Sequence, residues 1–296
     1  MTLNDWWALV RMERITLFPG DSPRTYVLAV PPIGPGVRPP LVLFLHGAGG
    51  TGGWADAETG WSALAAQKGF ALALPDALPP DLDSPPKFLT NPQRWNDDSP
   101  GPTGEPSLAD DVGFLAAVID DATRRAGADP RRVYLSGFSN GAGMAFRAAA
   151  ELADRLAAVA PVAGYCRVPE NFRPARPVPT LYLIGTDDPL VPLRGGDVRS
   201  PWLHRLIRRP PVAETLQRWA TTIGCAPIPI VESDGSGVRT ERYPGPVEFR
   251  AVMVEGLGHH WPGGRGQLNH RLAGPPSDTL NATREVWQFF ERRWLA

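Results

Sequence analysis

Seven short apolar runs, set apart by proline- and glycine-rich segments, constrain this chain more than any other feature. They are Thr25 to Val30, Leu41 to Leu45, Phe70 to Leu74, Arg132 to Leu135, Val159 to Val162, Thr180 to Ile184 and Phe249 to Val254. Several are apolar at nearly every position, with no alternation that would leave one face for water. Strands of that kind are buried on both faces, as parallel strands are when helices cover them above and below. The 34 prolines and 31 glycines cluster between the runs and act as punctuation.

Helical patterns lie between the runs. Ser107 precedes Leu108-Ala109-Asp110, a capping-box-like start with Asp in place of the usual Glu, and Val112, Leu115, Val118 and Ala122 then recur along one face. The spacing predicts a helix ending at about Ala126. A final helix is predicted from about Asp278, with Leu280, Trp287, Phe290 and Trp294 on one face and Glu285, Glu291, Arg292 and Arg293 on the other. Strands alternating with helices imply an α/β fold, with a mostly parallel central sheet, helices on both faces and right-handed crossovers. No internal repeat or break in composition marks a second domain, so 1–296 is expected to form one domain. The stretches at about 75–106 and 193–211 are longer than ordinary connections and are candidates for pocket walls or a lid.

Thirty basic residues against thirty-one acidic give a net charge of -1, which gathers neither nucleic acid nor an anionic membrane surface. Two cysteines, Cys166 and Cys225, allow at most one intramolecular disulfide and cannot supply a four-ligand zinc site. No metal and no organic cofactor is expected. No signal peptide is visible between Met1 and Arg14, and no apolar run approaches the roughly 20 residues of a membrane span. The expectation is a cytoplasmic protein, or an extracellular one if an export signal was removed.

The chemistry begins at Gly137-Phe138-Ser139-Asn140-Gly141, which fits G-x-S-x-G and lies between the strand Arg132 to Ser136 and a helical pattern from Gly143 to Ala148. That context makes the motif a nucleophile elbow: a sharp turn pushes the serine hydroxyl out at the carboxyl edge of a sheet. Serine is a weak nucleophile at neutral pH and needs a base and an orienting carboxylate, here in the order Ser, Asp, His. Thr180 to Ile184 leads into Gly185-Thr186-Asp187-Asp188, where Asp188 is the first choice of acid and Asp187 the reserve. Phe249 to Val254 leads into Gly258-His259-His260-Trp261, where one of the two histidines is expected to be the base. The other three, His46, His204 and His270, are disfavoured by chain order and position. Oxyanion donors are expected at the backbone N–H of Asn140, and at that of Ala48 in the glycine-rich segment Leu45-His46-Gly47-Ala48-Gly49-Gly50. This segment has neither the Gly-Lys-Ser/Thr ending of a phosphate loop nor the dinucleotide glycine spacing.

These motifs resemble those of the polyhydroxybutyrate depolymerase family of α/β-hydrolases, which is similar in turn to the feruloyl and acetylxylan esterases of carbohydrate esterase family one. The resemblance runs from Leu41-Val42-Leu43-Phe44-Leu45-His46-Gly47 through Asp110 to Leu115, Arg132 to Met144, Ala160 to Gly164 and Gly185 to Pro189, to Gly258-His259-His260-Trp261-Pro262-Gly263-Gly264 and Trp287 to Phe290. It implies the α/β-hydrolase fold and a serine esterase with Ser139 as nucleophile, Asp188 as acid and His259, in preference to His260, as base. The implied partner is a small or oligomeric ester. The family's cysteines near Trp95 and after a late Tyr-x-Gly are absent: the chain reads Arg94-Trp95-Asn96-Asp97-Asp98 and Tyr243-Pro244-Gly245-Pro246. That departure favours free thiols and leaves open whether Cys166 and Cys225 pair with each other.

Trp261 and Trp95 are expected to touch substrate as an aromatic acyl or alcohol pocket, with Trp54 the weaker candidate. A serine peptidase or an acyltransferase would use the same triad, although no propeller-like domain of the kind that gates peptides is visible. A binding protein on an inactive scaffold fits least, because every chemical group is retained.

Overall fold

The structure, a computed structural model, describes residues 10–20, 22–100, 107–200, 205–233 and 236–295. The chain opens with strands β1 (Arg11–Leu17), β2 (Arg24–Val30) and β3 (Leu41–Leu45) and helices α1 (Gly52–Thr59) and α2 (Trp61–Lys68). Next come β4 (Ala71–Pro75), α3 (Asp111–Ala126), β5 (Val133–Phe138), α4 (Asn140–Glu151), β6 (Ala158–Val162) and β7 (Thr180–Gly185). A small hairpin, β8 (Gly196–Arg199) and β9 (Leu206–Arg209), precedes α5 (Val212–Thr222), β10 (Ile230–Ser233), β11 (Val238–Tyr243) and β12 (Phe249–Val254). The short α6 (His270–Ala273) and then α7 (Ala282–Phe290) close the chain.

Ten strands form one sheet in the order β1-β2-β4-β3-β5-β6-β7-β12-β11-β10. From β4 to β12 the pairing is parallel, and the two margins are antiparallel. All seven apolar runs are strands of this sheet. The run at Thr25 to Val30 differs from the parallel expectation, because β2 pairs antiparallel with both β1 and β4. Its inner and outer positions largely alternate in burial, as suits a strand one place from the edge. The strands that sequence did not indicate, β1, β10 and β11, carry Arg11, Glu13, Glu232, Arg239 and Glu241, charges that keep a sheet margin from pairing with another chain.

The strand interiors split between two cores, one on each face. In β3, Leu41, Leu43 and Leu45 join Phe114, Phe146 and Trp219 of α3, α4 and α5, while Val42 and Phe44 join Trp61, Trp287 and Phe290 of α2 and α7. The α3 helix ends where predicted, at a left-handed Gly127. Its start differs: Asp110, not Ser107, caps it by accepting the Gly113 N–H at 2.8 Å, and Leu108 is fully exposed. The closing helix starts at Ala282, capped by Asn281, and Trp294 lies half-exposed beyond its end. Cys166 and Cys225 are free and buried, and burial pushes the Cys166 thiol up to about 12. Among the described residues no helix is long and apolar enough to cross a membrane.

One buried ion pair ties the sheet margin to the loop that approaches the site. Arg24 of β2 donates to Asp111 at 2.6 Å, both nearly solvent-free, with the guanidinium 4.0 Å from the centroid of the Phe114 ring. The second oxygen of Asp111 accepts the Asn96 N–H at 2.6 Å. Arg24→Met would strand a buried carboxylate, so the free energy of unfolding is expected to fall by about 3–5 kcal/mol. Adding Asp111→Asn, which removes the charge and keeps an acceptor for Asn96, should recover part of it. Urea unfolding curves of the single and double variants check both outcomes.

Candidate active site

The sheet changes direction at β3, which has β4 on one side and β5 on the other, so the loops leaving β3 and β5 diverge above the carboxyl edge. Such a reversal opens a crevice in α/β sheets. The two strands end level, Leu45 opposite Gly137, so Ala48 and Ser139 follow within a few residues of the same edge.

Ser139 sits at φ 57°, ψ -117°, a backbone conformation that costs a side-chain-bearing residue about 1–3 kcal/mol. The surroundings enforce it. The Ser139 N–H donates to the Val162 carbonyl at 2.9 Å, and its own carbonyl accepts from the N–H groups of Ala142 and Gly143 at 3.0 and 3.1 Å. A Cβ on Gly137 would collide with the Gly141 carbonyl, and one on Gly141 with the carbonyls of Leu45 and His46. The two glycines of the motif are therefore the condition for strand, turn and helix to pass one another.

The hydroxyl meets a histidine and a carboxylate delivered from two other strand ends. Ser139 Oγ lies 2.9 Å from His259 Nε2, and His259 Nδ1 donates to Asp188 Oδ2 at 2.7 Å. Asp188 Oδ1 accepts the N–H groups of Leu190 and Val191 at 2.8 and 2.7 Å, which fixes the carboxylate. The Asp188 side chain has no exposure, and that of His259 is 5% exposed. Asp187 is exposed and accepts instead from the Thr186 hydroxyl. His260 turns away and donates from Nε2 to the Gly274 carbonyl at 2.9 Å, and burial lowers its pKa. His204 lies outside the described residues.

Ala48 and Asn140 line the same cavity as Ser139 and His259, and among the described residues neither backbone N–H has a protein acceptor. Trp95 ties the Asn140 side chain to the backbone that leads into Ala48. The Asn140 side chain accepts the Trp95 N–H at 2.8 Å and donates to the Trp95 carbonyl at 3.0 Å, while the Trp95 indole N–H donates to the His46 carbonyl at 2.9 Å. His46, fully buried, donates from Nδ1 to the Gly47 carbonyl and accepts the Ala77 N–H at Nε2. Sequence reasoning missed this bracing because a loop tryptophan carries no sign of which way it faces.

Burial lowers the pKa of His46, so the folded state resists a proton that the unfolded chain accepts near pH 6.5. The contribution of His46 is complete above that pH and is lost as pH falls below it, by up to about 1.4 kcal/mol per pH unit. Unfolding measured at pH 7 and pH 5 should show this loss, and His46→Gln should flatten it; an unchanged slope would reject the assignment.

The cavity holds about 500 Å³. Its walls come from both long stretches, Phe88, Arg94 and Asp97 from the first and Val198, Ile207 and Arg209 from the second, with residues 101–106 and 201–204 outside the described part. The expectation for Trp95 and Trp261 fails on geometry. Trp95 is 1% exposed and faces inward, as above. Trp261 is 2% exposed, packs edge-on against Phe44 and donates to the Thr283 hydroxyl at 2.9 Å. Among the described residues, Trp54, the weaker candidate, is the tryptophan that lines the cavity. Arg94, Tyr165, Arg167 and Arg209 also line it and were not anticipated, since they reach it from two loops and the end of β9 with no common spacing.

Residues 36–214 match the phospholipase/carboxylesterase family over more than half of the chain. The chain belongs to that family. Members of this carboxylesterase family have the α/β-hydrolase fold, and the sheet described above has that architecture. The chain is 33% identical over 241 residues to the putative esterase NocK of Nocardia uniformis subsp. tsuyamanensis, covering 76% of this chain and 66% of NocK. It is also 33% identical over 167 residues to feruloyl esterase B of Piromyces equi, covering 51% of this chain and 29% of that protein. The chain thus spans less than two thirds of these relatives. Among solved structures, the acetyl xylan esterase from Aspergillus awamori superposes with a TM-score of 0.60 at 15% identity, covering 94% of this chain and 98% of that one, a likeness of fold.

Proposed function

We propose that this carboxylesterase-family protein hydrolyses carboxylic esters through an acyl-enzyme formed on Ser139. The observation that carries the proposal is the continuous hydrogen-bonded chain from Ser139 Oγ through His259 to Asp188 at the floor of the cavity. In this reading His259 Nε2 takes the hydroxyl proton as Oγ bonds to the ester carbonyl carbon. The carbonyl electrons move to oxygen, and the N–H groups of Asn140 and Ala48 receive the oxyanion, each such donor being worth about 3–4 kcal/mol in the transition state. Collapse breaks the bond to the alcohol oxygen, which leaves with the proton held by His259. Water then repeats the sequence on the acyl-enzyme, with His259 as base and Ser139 as leaving group. Asp188 holds the imidazole with Nδ1 protonated throughout. No step calls for a metal or an organic cofactor.

A fluorophosphonate should label the native protein once, on the peptide that contains Ser139, and abolish turnover of 4-nitrophenyl acetate; an unlabelled, folded protein would reject the reading. As to substrate, the similarity to feruloyl esterase B supports a hydroxycinnamoyl ester, and the depolymerase-like motifs support a 3-hydroxybutyrate polyester. The ratio of kcat/KM for methyl ferulate and for a soluble 3-hydroxybutyrate oligomer separates the two, tenfold corresponding to about 1.4 kcal/mol of transition-state binding.

A further inference from the structure

We propose that the cavity selects esters that carry a carboxylate, bound by Arg94, Arg167 and Arg209 with the Tyr165 hydroxyl; this specificity rests on the esterase reading above. The three guanidinium groups arrive from the loop after β4, the loop after β6 and the end of β9, and all line the cavity that contains Ser139 and His259.

Several other guanidinium groups drawn into the structure meet a carboxylate: Arg24 with Asp111, Arg147 with Asp98 and Glu151, Arg155 with Asp120, Arg293 with Glu248. Among the described residues, no carboxylate lies within 4.0 Å of Arg94, Arg167 or Arg209. Among the described residues, Arg94 donates to the neutral oxygens of Ser99 and Pro100, at 3.0 and 3.2 Å. Arg167 and Arg209 stand on the same aromatic ring, with Cζ 5.8 and 5.6 Å from the Tyr165 centroid. The Nε atoms of all three arginines, and the Tyr165 hydroxyl, are buried without a hydrogen-bond partner.

Asp97 is the one carboxylate among the described residues of the cavity wall. Its Oδ1 accepts the Ser99 N–H and hydroxyl, its other oxygen lies against Gly143, and it forms no ion pair with any of the three guanidinium groups, so three cations face one anion. Burial, and after it the charge of Arg167, holds Arg209 below the usual guanidinium range; Arg94 is lowered by burial first, with Arg167 adding, and the charge of Asp97 opposes the shift in both. Burial pushes the Tyr165 phenol up to about 12, so it remains a neutral donor. A carboxylate supplies what this wall lacks: it neutralises the excess charge, its two coplanar oxygens match a guanidinium fork, and it accepts from a phenol.

The test compares kcat/KM for two pairs of esters, each rate divided by that ester's rate of alkaline hydrolysis. The first pair is 4-nitrophenyl hydrogen glutarate against 4-nitrophenyl pentanoate, with the charge in the acyl part. The second is 4-acetoxybenzoate against phenyl acetate, with the charge in the alcohol part. In at least one pair the anion should be preferred tenfold or more, and the anion-to-neutral ratio should fall at least tenfold in Arg167→Gln and Arg209→Gln. No preference in either pair, or a loss that is equal for anion and neutral ester, overturns the proposal. If no ester turns over and the fluorophosphonate leaves Ser139 unlabelled, it is the esterase reading that fails. Calorimetric titration of Ser139→Ala with monomethyl glutarate then judges the site itself: binding that is lost in the added Arg167→Gln, Arg209→Gln background supports it, and no binding at millimolar ligand overturns it.

Discussion

Ser139→Ala is expected to lower kcat for a soluble ester by on the order of 10^6-fold, about 8 kcal/mol of barrier, while leaving a folded protein. The size of the loss follows from the step removed. Without Oγ no acyl-enzyme forms, and His259 and Asp188 have no proton to move from a nucleophile. What survives is attack by water on an ester still held by the Asn140 and Ala48 N–H groups, a residual acceleration of about 10^3–10^4 over solution. Folding should be little affected, because the backbone bonds of Ser139 to Val162, Ala142 and Gly143 do not involve the hydroxyl. The strained φ remains, since alanine bears the same Cβ. Single-turnover kinetics beside a urea unfolding curve tests both halves. A variant that keeps more than a hundredth of the activity in a preparation free of contaminating esterase would show that Ser139 is not the nucleophile.

How much of this was legible in the sequence depends on how each residue earns its place. The central strands were readable because burial on both faces leaves an apolar run: Leu41 to Leu45 supplies three side chains to one core and two to the other. β1, β10 and β11 were not, because a margin strand carries charges that read as loop. The residues brought together at the cavity floor were readable by another route. Ser139, Asp188 and His259 each follow an apolar strand, and a parallel sheet delivers all such strand ends to one edge. Chain position thus stood in for spatial position, and only the choice between neighbours, Asp187 or Asp188 and His259 or His260, needed more than spacing. The walls had no such rule. Trp95 and Trp261 lie where substrate contact was expected, yet the hydrogen bonds of Trp95 to Asn140 and His46, and of Trp261 to Thr283, turn both rings inward. The arginines that do face the cavity belong to two loops and a small hairpin whose paths no local pattern sets.

Asp188→Asn should cost about 10^4-fold in kcat, with little change in the fold, and the reason lies in which atom faces which. The two oxygens of Asp188 have separate tasks: Oδ1 accepts two backbone N–H groups, from Leu190 and Val191, and Oδ2 accepts the Nδ1 proton of His259. An asparagine keeps the backbone satisfied only if its oxygen takes the Oδ1 position, because an NH2 there would face two donors. Its nitrogen must then point at His259 Nδ1 and donate to it. The imidazole responds by carrying its proton on Nε2, which turns the group facing Ser139 Oγ from acceptor to donor. A protonated Nε2 has no lone pair to accept the serine proton, so the normal step, in which His259 becomes the imidazolium beside the Asp188 carboxylate, is closed in this tautomer, and after reversal of the tautomer no carboxylate remains to stabilise the cation. The loss should therefore appear in kcat with KM little changed, since no group of the cavity wall has moved. If Asp188→Asn lowered kcat by less than tenfold while the fold was intact, the carboxylate would be a structural clamp for the turn at Leu190 and Val191, and the orienting role would belong to another group.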